Sequence, residues 1–181
     1  MIFYSSFVNP GDTDHYSWSP TLPNDKSQFI AGNLAIYFGY ASELVGIRQL
    51  NPNLNFDVSL MPQRAKSPVK ITYGLMHGVA ITKSSKNITL ALLVAQQLAG
   101  KDAVSAYLGV DKTFVPARRD MLSVPPIDNA RQTLFYNSAI ISRSWIDPDS
   151  VATTGLFKKS IDHINAGTLT PAGIIAPMNS L

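Results

Sequence analysis

The sequence predicts an α/β fold, rich in helix with short strands, and three stretches carry that expectation. Ile71 to Thr82 alternates. Tyr73, Leu75, His77, Val79 and Ile81 take one face, and Thr72, Gly74, Met76, Gly78, Ala80 and Thr82 the other, which is the period of a strand. The second face is small and half polar, so it suits close approach by another backbone or a ligand. Next comes a polar turn, Lys83-Ser84-Ser85-Lys86-Asn87, in which Ser85 or Asn87 can cap a helix over Ile88 to Leu98. That helix is apolar enough to need cover on nearly every side. Finally, Val151 to Asn165 is amphipathic through Leu156, Phe157, Ile161 and Ile164, with Gly167 at the C′ position.

Composition narrows the function classes. A chain of 181 residues is long enough for one ordinary domain with its own core. The net charge is only +3, and the basic residues form pairs (Arg118-Arg119, Lys158-Lys159) rather than blocks, so nucleic acid is not implied. The absence of cysteine excludes disulfides, thiolate metal sites and cysteine nucleophiles. With His15, His77 and His163 as the only histidines, no metal site and no cofactor is expected. Met1-Ile2-Phe3-Tyr4 is too short and lacks the basic start of a signal peptide, and no stretch reads as a membrane span.

In chain order, Met1 to Val8 reads as the tail of a helix. Asn9 to Ser27 is a loop broken by Pro10-Gly11, Pro20 and Pro23 and carries His15, Tyr16 and Trp18. Asp25 or Ser27 can cap a short helix through Gly32. Leu34 to Phe38, bounded by Gly32-Asn33 and Gly39, reads as a buried strand. A helix then runs to Leu50, with Glu43, the only glutamate, in its first turn. Asn51-Pro52-Asn53 is a turn, and Phe56 to Met61 alternates as a strand that Pro62 ends. After Ile88 to Gly100, a second helix over Lys101 to Leu108 follows, with Gly100 as C-cap between the two. The first buries Leu90, Leu92, Leu93, Ala95 and Leu98, and the second Ala103, Val104, Ala106 and Tyr107. Asp128 caps a long helix from Asn129 to about Trp145, and Asp147-Pro148-Asp149-Ser150 stops the chain and restarts it. Thr170-Pro171 opens a weak last helix.

Three ordered segments, Phe29 to Gln63, Gly74 to Asn87 and Phe135 to Pro171, resemble the extracellular solute-binding proteins of ABC importers, the family that includes sugar- and maltodextrin-binding proteins. The resemblance spans almost the whole chain. It implies a periplasmic-binding-protein-like (type II) two-lobe fold, here partial, because members are longer and this chain looks like the C-terminal part of one. Residues 1–72 and 124–181 then belong to the C-terminal lobe. Residues 73–123 belong to the N-terminal lobe, reached across the hinge. The ligand-binding candidates that the resemblance implies are Trp18, Tyr40, Ser42, Glu43, Tyr73, Met76, His77, Arg118 and Tyr136. Tyr16, Arg119, Phe135 and Trp145 stand as weaker neighbours. The sequence departs from the family where a frequent Trp is replaced by Ala41 or Ser42, and at Gly173 and Pro177, where members carry charge.

Each candidate also has an ordinary reading. An aromatic on a helix is usually core, Glu43 can serve the helix start, and a lone histidine such as His77 usually packs. The expected role is recognition, with two lobes closing on a small-molecule solute, a sugar in the first instance. The partners are then the transporter's permease subunits. The location is extracellular or periplasmic, with membrane attachment only through an anchor outside this chain. No enzyme is expected: one glutamate offers no carboxylate pair at a telling spacing, and neither a Ser-His-Asp order nor a glycine-rich phosphate loop is present. The alternative is a structural or interaction remnant of such a protein that binds no solute.

Overall fold

Side-chain caps mark the starts of three of the helices. The computed structural model describes residues 6–8, 11–17, 21–147, 149–168, 170 and 173. Contacts divide the chain into two units, one formed by Asp25–Ser144 and the other by Met1–Asn24 with Trp145–Leu181.

In the Asp25–Ser144 unit, α1 spans Asp25–Ile30 and α2 spans Glu43–Leu50. Asn51, the residue that ends α2, donates its side-chain amide to the Ile30 carbonyl at 2.6 Å, which fastens the two short helices together. α3 covers Ile88–Leu98 and α4 Lys101–Val110. Asn87 is the N-cap of α3, its side chain accepting the Leu90 N–H at 3.0 Å, and Gly100 is the N-cap of α4. A single turn, α5, spans Arg119–Leu122, and α6 spans Ala130–Ile140. The cap of α6 is Asn129, which accepts the Gln132 N–H, rather than the expected Asp128. The helix also stops at Ile140 instead of reaching Trp145, because the chain leaves it to form a strand.

The sheet is minimal. β1 (Thr72–Tyr73) pairs in parallel with β2 (Ser142–Arg143), in register Thr72↔Ser142 and Tyr73↔Arg143. The small face foreseen for this stretch is used here: a Cβ on Gly74 would lie 2.7 Å from the Ser142 side chain, so glycine is what lets the two backbones approach. The expected strand over Ile71 to Thr82 is therefore reduced to two residues, and beyond Gly74 no ladder partner exists among the described residues. Leu34 to Phe38 and Phe56 to Met61 do not form strands for the same reason. Ile36 and Phe38 lie exposed instead of buried.

The buried apolar side chains among the described residues are Ile47 of α2, Phe135 and Tyr136 of α6, and Pro116 in the stretch between α4 and α5. Around α1 and α2 an aromatic cluster adds to this core. Phe29 stacks on Tyr37 at 5.6 Å between centroids and meets Phe56 edge-on at 5.4 Å. α3 is the main correction. Leu90, Leu92, Leu93 and Leu98, expected inside, are each about half exposed, and no residue of the helix is buried. In α4, Ala103 and Val104 are half-buried while Ala106 and Tyr107 are exposed. The apolar content of these helices was read correctly, but the residues that would cover them are not among their described neighbours.

In the other unit, α7 spans Ser150–Asn165. Asp149 caps it by accepting the N–H groups of Val151 and Ala152, and Asp147 accepts both the Thr153 hydroxyl at 2.8 Å and the Asp149 N–H. The C-terminus closes in a Schellman arrangement with Gly167 at C′: the Thr168 N–H reaches the His163 carbonyl and the Gly167 N–H the Ile164 carbonyl. The helix expected after Thr170-Pro171 lies outside the described residues.

Candidate functional site

The loop leading into α2 builds the site. Glu43 turns its carboxylate back on the chain, accepting the Tyr40 N–H at 2.9 Å while its own N–H donates to the Tyr40 carbonyl. This is the backbone half of a capping box, one turn ahead of the helix. The preceding Ser42 is already helical, at φ −60° and ψ −21°, and its hydroxyl makes no cap bond. Lys26 of α1 donates to Glu43 Oε1 at 2.8 Å, and the Tyr37 hydroxyl lies 3.2 and 3.1 Å from the two carboxylate oxygens. Glycine at position 39 permits this crowding, since a Cβ there would come within 2.5 Å of the Tyr37 ring and 2.6 Å of Glu43 Oε2.

Tyr73 arrives from a distant part of the sequence. β1 is held by hydrogen bonds from the Thr72 N–H to Ile141 and from the Gly74 N–H to Arg143. One residue earlier, the side chain of Gln63 clasps the Ile71 peptide, accepting its N–H at 2.9 Å and donating to its carbonyl at 3.0 Å. So held, the Tyr73 ring lies 6.3 Å from that of Tyr40, tilted by 60°. The two rings are 53 % and 47 % exposed. The result is an open two-ring angle beside a hydrogen-bonded carboxylate.

Electrostatics follow from these contacts. Burial alone would push the Glu43 carboxyl up, but Lys26, the Tyr40 N–H and the Tyr37 hydroxyl outweigh it and hold the group below its ordinary value. Burial, together with the Glu43 carboxylate, raises the Tyr37 phenol to about 12, and burial beside Tyr73 and Glu43 raises Tyr40. Because the Glu43 carboxyl is lowered on folding, its contribution to stability is complete above the unfolded value of 4.5 and is lost as pH falls through the lowered folded value. Wild type should therefore lose melting temperature between pH 5 and 3 more steeply than Glu43→Gln, and identical acid slopes in a thermal-melt series would contradict the bonded carboxylate.

The other candidates lie elsewhere. Arg118 is engaged within the protein: Nε and Nη2 pair with Asp120 at 3.1 and 3.2 Å, and Nη1 donates to the Ala99 carbonyl at the end of α3. Its neighbour Arg119 opens α5 and is exposed. Tyr136 is 8 % exposed and belongs to the core, as does Phe135. Met76 is exposed on the extended chain after β1. His77 meets Phe114 at 6.5 Å, and Phe114 meets Tyr107 at 5.0 Å, a separate set of rings. In the other unit, Tyr16 and Trp145 are about half exposed. Trp18 lies outside the described residues. Lys26 and Tyr37 were not foreseen as site residues. Tyr37 was read only as part of a buried strand, and the one local signal for it was the glycine between it and Glu43.

Away from these rings, an open apolar groove of about 480 Å³ is lined by Val79 and Ile81 of the extended stretch, by Leu90 and Val94 of α3 and by Asn87. Among the described residues no group of three His, Asp or Glu side chains could hold a metal ion, and no helix is long and apolar enough to cross a membrane. Comparison with family models, with curated proteins and with solved structures returns no match for this chain.

Proposed function

We propose that this chain is part of the solute-binding component of an ABC importer and that its solute is a carbohydrate. The observation that carries the reading is the Tyr40–Tyr73 pair. Two half-exposed phenol rings from distant segments stand at an angle beside a hydrogen-bonded polar cluster. A sugar has apolar C–H faces and a rim of hydroxyls, and it suits such a site by stacking on the rings while the Ser42 hydroxyl and the phenols meet its edge. Both residues were among the candidates that the family resemblance supplied, and they come together although 33 positions separate them. Arg118 is occupied by Asp120 and Ala99, which argues for a neutral solute rather than a carboxylate or phosphate.

The two-lobe route, with 73–123 crossing to a second lobe, is part of this reading, as are permease partners and an extracellular or periplasmic location. The exposed apolar surface of α3 supports a fold completed by further chain. The same surface favours a second reading, an interaction remnant that binds no solute. Titration calorimetry of the 181-residue chain against glucose, maltose, maltotriose, xylobiose and cellobiose separates the two. The solute reading expects heat and a raised melting temperature with at least one of them. No heat and no shift with any would favour the remnant, and hydrolysis of a probe would overturn the non-enzymatic role.

A further inference from the structure

On the reading that Tyr40 and Tyr73 form the solute platform, we infer that Glu43 is a positioning residue that sets the Tyr40 ring against Tyr73, rather than a group that touches the solute. The carboxylate has little left to offer a ligand. Lys26 donates to Oε1, the Tyr40 N–H to Oε2, and the one Tyr37 hydroxyl proton is shared between the two oxygens, so three donors of the protein take up most of the roughly four accepting directions. What Glu43 controls is the backbone at Tyr40. That peptide lies in the turn before α2, and the Glu43 side chain is its hydrogen-bond acceptor there. Lys26 and Tyr37 act one step further back by fixing the carboxylate, with Tyr37 itself held in place by stacking on Phe29. The ion pair with Lys26 is partly exposed, so it adds only modestly to stability, and its larger role in this arrangement is to orient the carboxylate. The chain Phe29, Tyr37, Glu43, Tyr40, Tyr73 thus links the aromatic cluster on α1 to the open two-ring angle.

The test needs one readout that does not depend on a solute. In the isotopically labelled 181-residue chain, nuclear Overhauser contacts between the Tyr40 and Tyr73 rings and the exchange rate of the Tyr40 amide report the arrangement directly. Glu43→Gln keeps an oxygen acceptor for the Tyr40 N–H and should keep the ring contacts. Glu43→Ala should lose them and speed exchange of the Tyr40 amide by about tenfold or more. In maltotriose titrations Glu43→Gln should bind within about threefold of wild type, and Glu43→Ala at least about tenfold more weakly, a 1.4 kcal/mol change. Ring contacts that survive in Glu43→Ala would overturn the positioning role. So would maltotriose binding that falls equally in both variants while the ring contacts persist in Glu43→Gln, since the carboxylate would then be meeting the solute itself. If wild type binds no probe sugar, the solute reading fails, and the ring contacts still decide what Glu43 does. Should circular dichroism show Glu43→Ala unfolded, Glu43→Asp, which keeps the charge but is one methylene too short, replaces it with the same expected loss.

Discussion

Phe135→Ala is expected to lower the stability of the Asp25–Ser144 unit by about 3–5 kcal/mol, a large share of the roughly 5–15 kcal/mol that holds an ordinary domain folded. The size of the effect follows from how few side chains are shielded. Among the described residues the buried apolar groups are Ile47, Pro116, Phe135 and Tyr136, and two of them are adjacent on α6. Removing one ring from such a small core deletes a large share of the apolar area withdrawn from water and leaves a cavity that the short helices around it cannot all collapse to fill. Urea denaturation followed by circular dichroism measures the loss. A change under about 1 kcal/mol would mean that Phe135 is not the packing centre it is taken to be.

On the proposed carbohydrate-binding role, Tyr40→Ala and Tyr73→Ala should each weaken maltotriose binding by about thirtyfold, the roughly 2 kcal/mol typical of truncating a central aromatic anchor, while leaving the melting temperature nearly unchanged. The two effects separate because both rings are about half exposed, so little packing is lost with either. Tyr73→Phe keeps the ring and should bind nearly as wild type. By contrast, Tyr136→Phe, which removes a hydroxyl from a buried ring, should not change affinity at all. A stability loss in Tyr40→Ala as large as that in Phe135→Ala would mean that Tyr40 is core rather than platform.

What could be read in the sequence was what short-range chemistry determines. Asn87 before Ile88, Asp149 before Ser150 and Gly167 at C′ each specify a helix end through hydrogen bonds spanning a few residues, and those ends stand where expected, whereas Gly100, expected as a C-cap, is the N-cap of α4 and Ala99 is the C-cap of α3. Strands depend on partners. β1 pairs with Ser142–Arg143, 70 positions away, inside what the pattern read as continuous helix, and no feature near either segment announces the other. Burial failed in the same way. The leucines of α3 have the pattern of a covered helix, but pattern states a demand for cover without saying what supplies it.

The site was half legible. Tyr40, Ser42, Glu43 and Tyr73 were named one by one, and the pairing of β1 with β2 holds Tyr73 where its ring meets Tyr40. Lys26 and Tyr37 were missed because their link to Glu43 runs through space. Arg118 was named without sight of Asp120, two residues on, and of a helix-end carbonyl, which between them take three of its five N–H donors.

The ring protons of Tyr40 and Tyr73, followed by NMR during a maltotriose titration, test the platform most directly. Coincident, saturable shifts of both rings, with intermolecular contacts from sugar C–H groups to each, are the predicted result. Maltotriose bound with neither ring perturbed, or shifts confined to the groove at Val79 and Leu90, would contradict it.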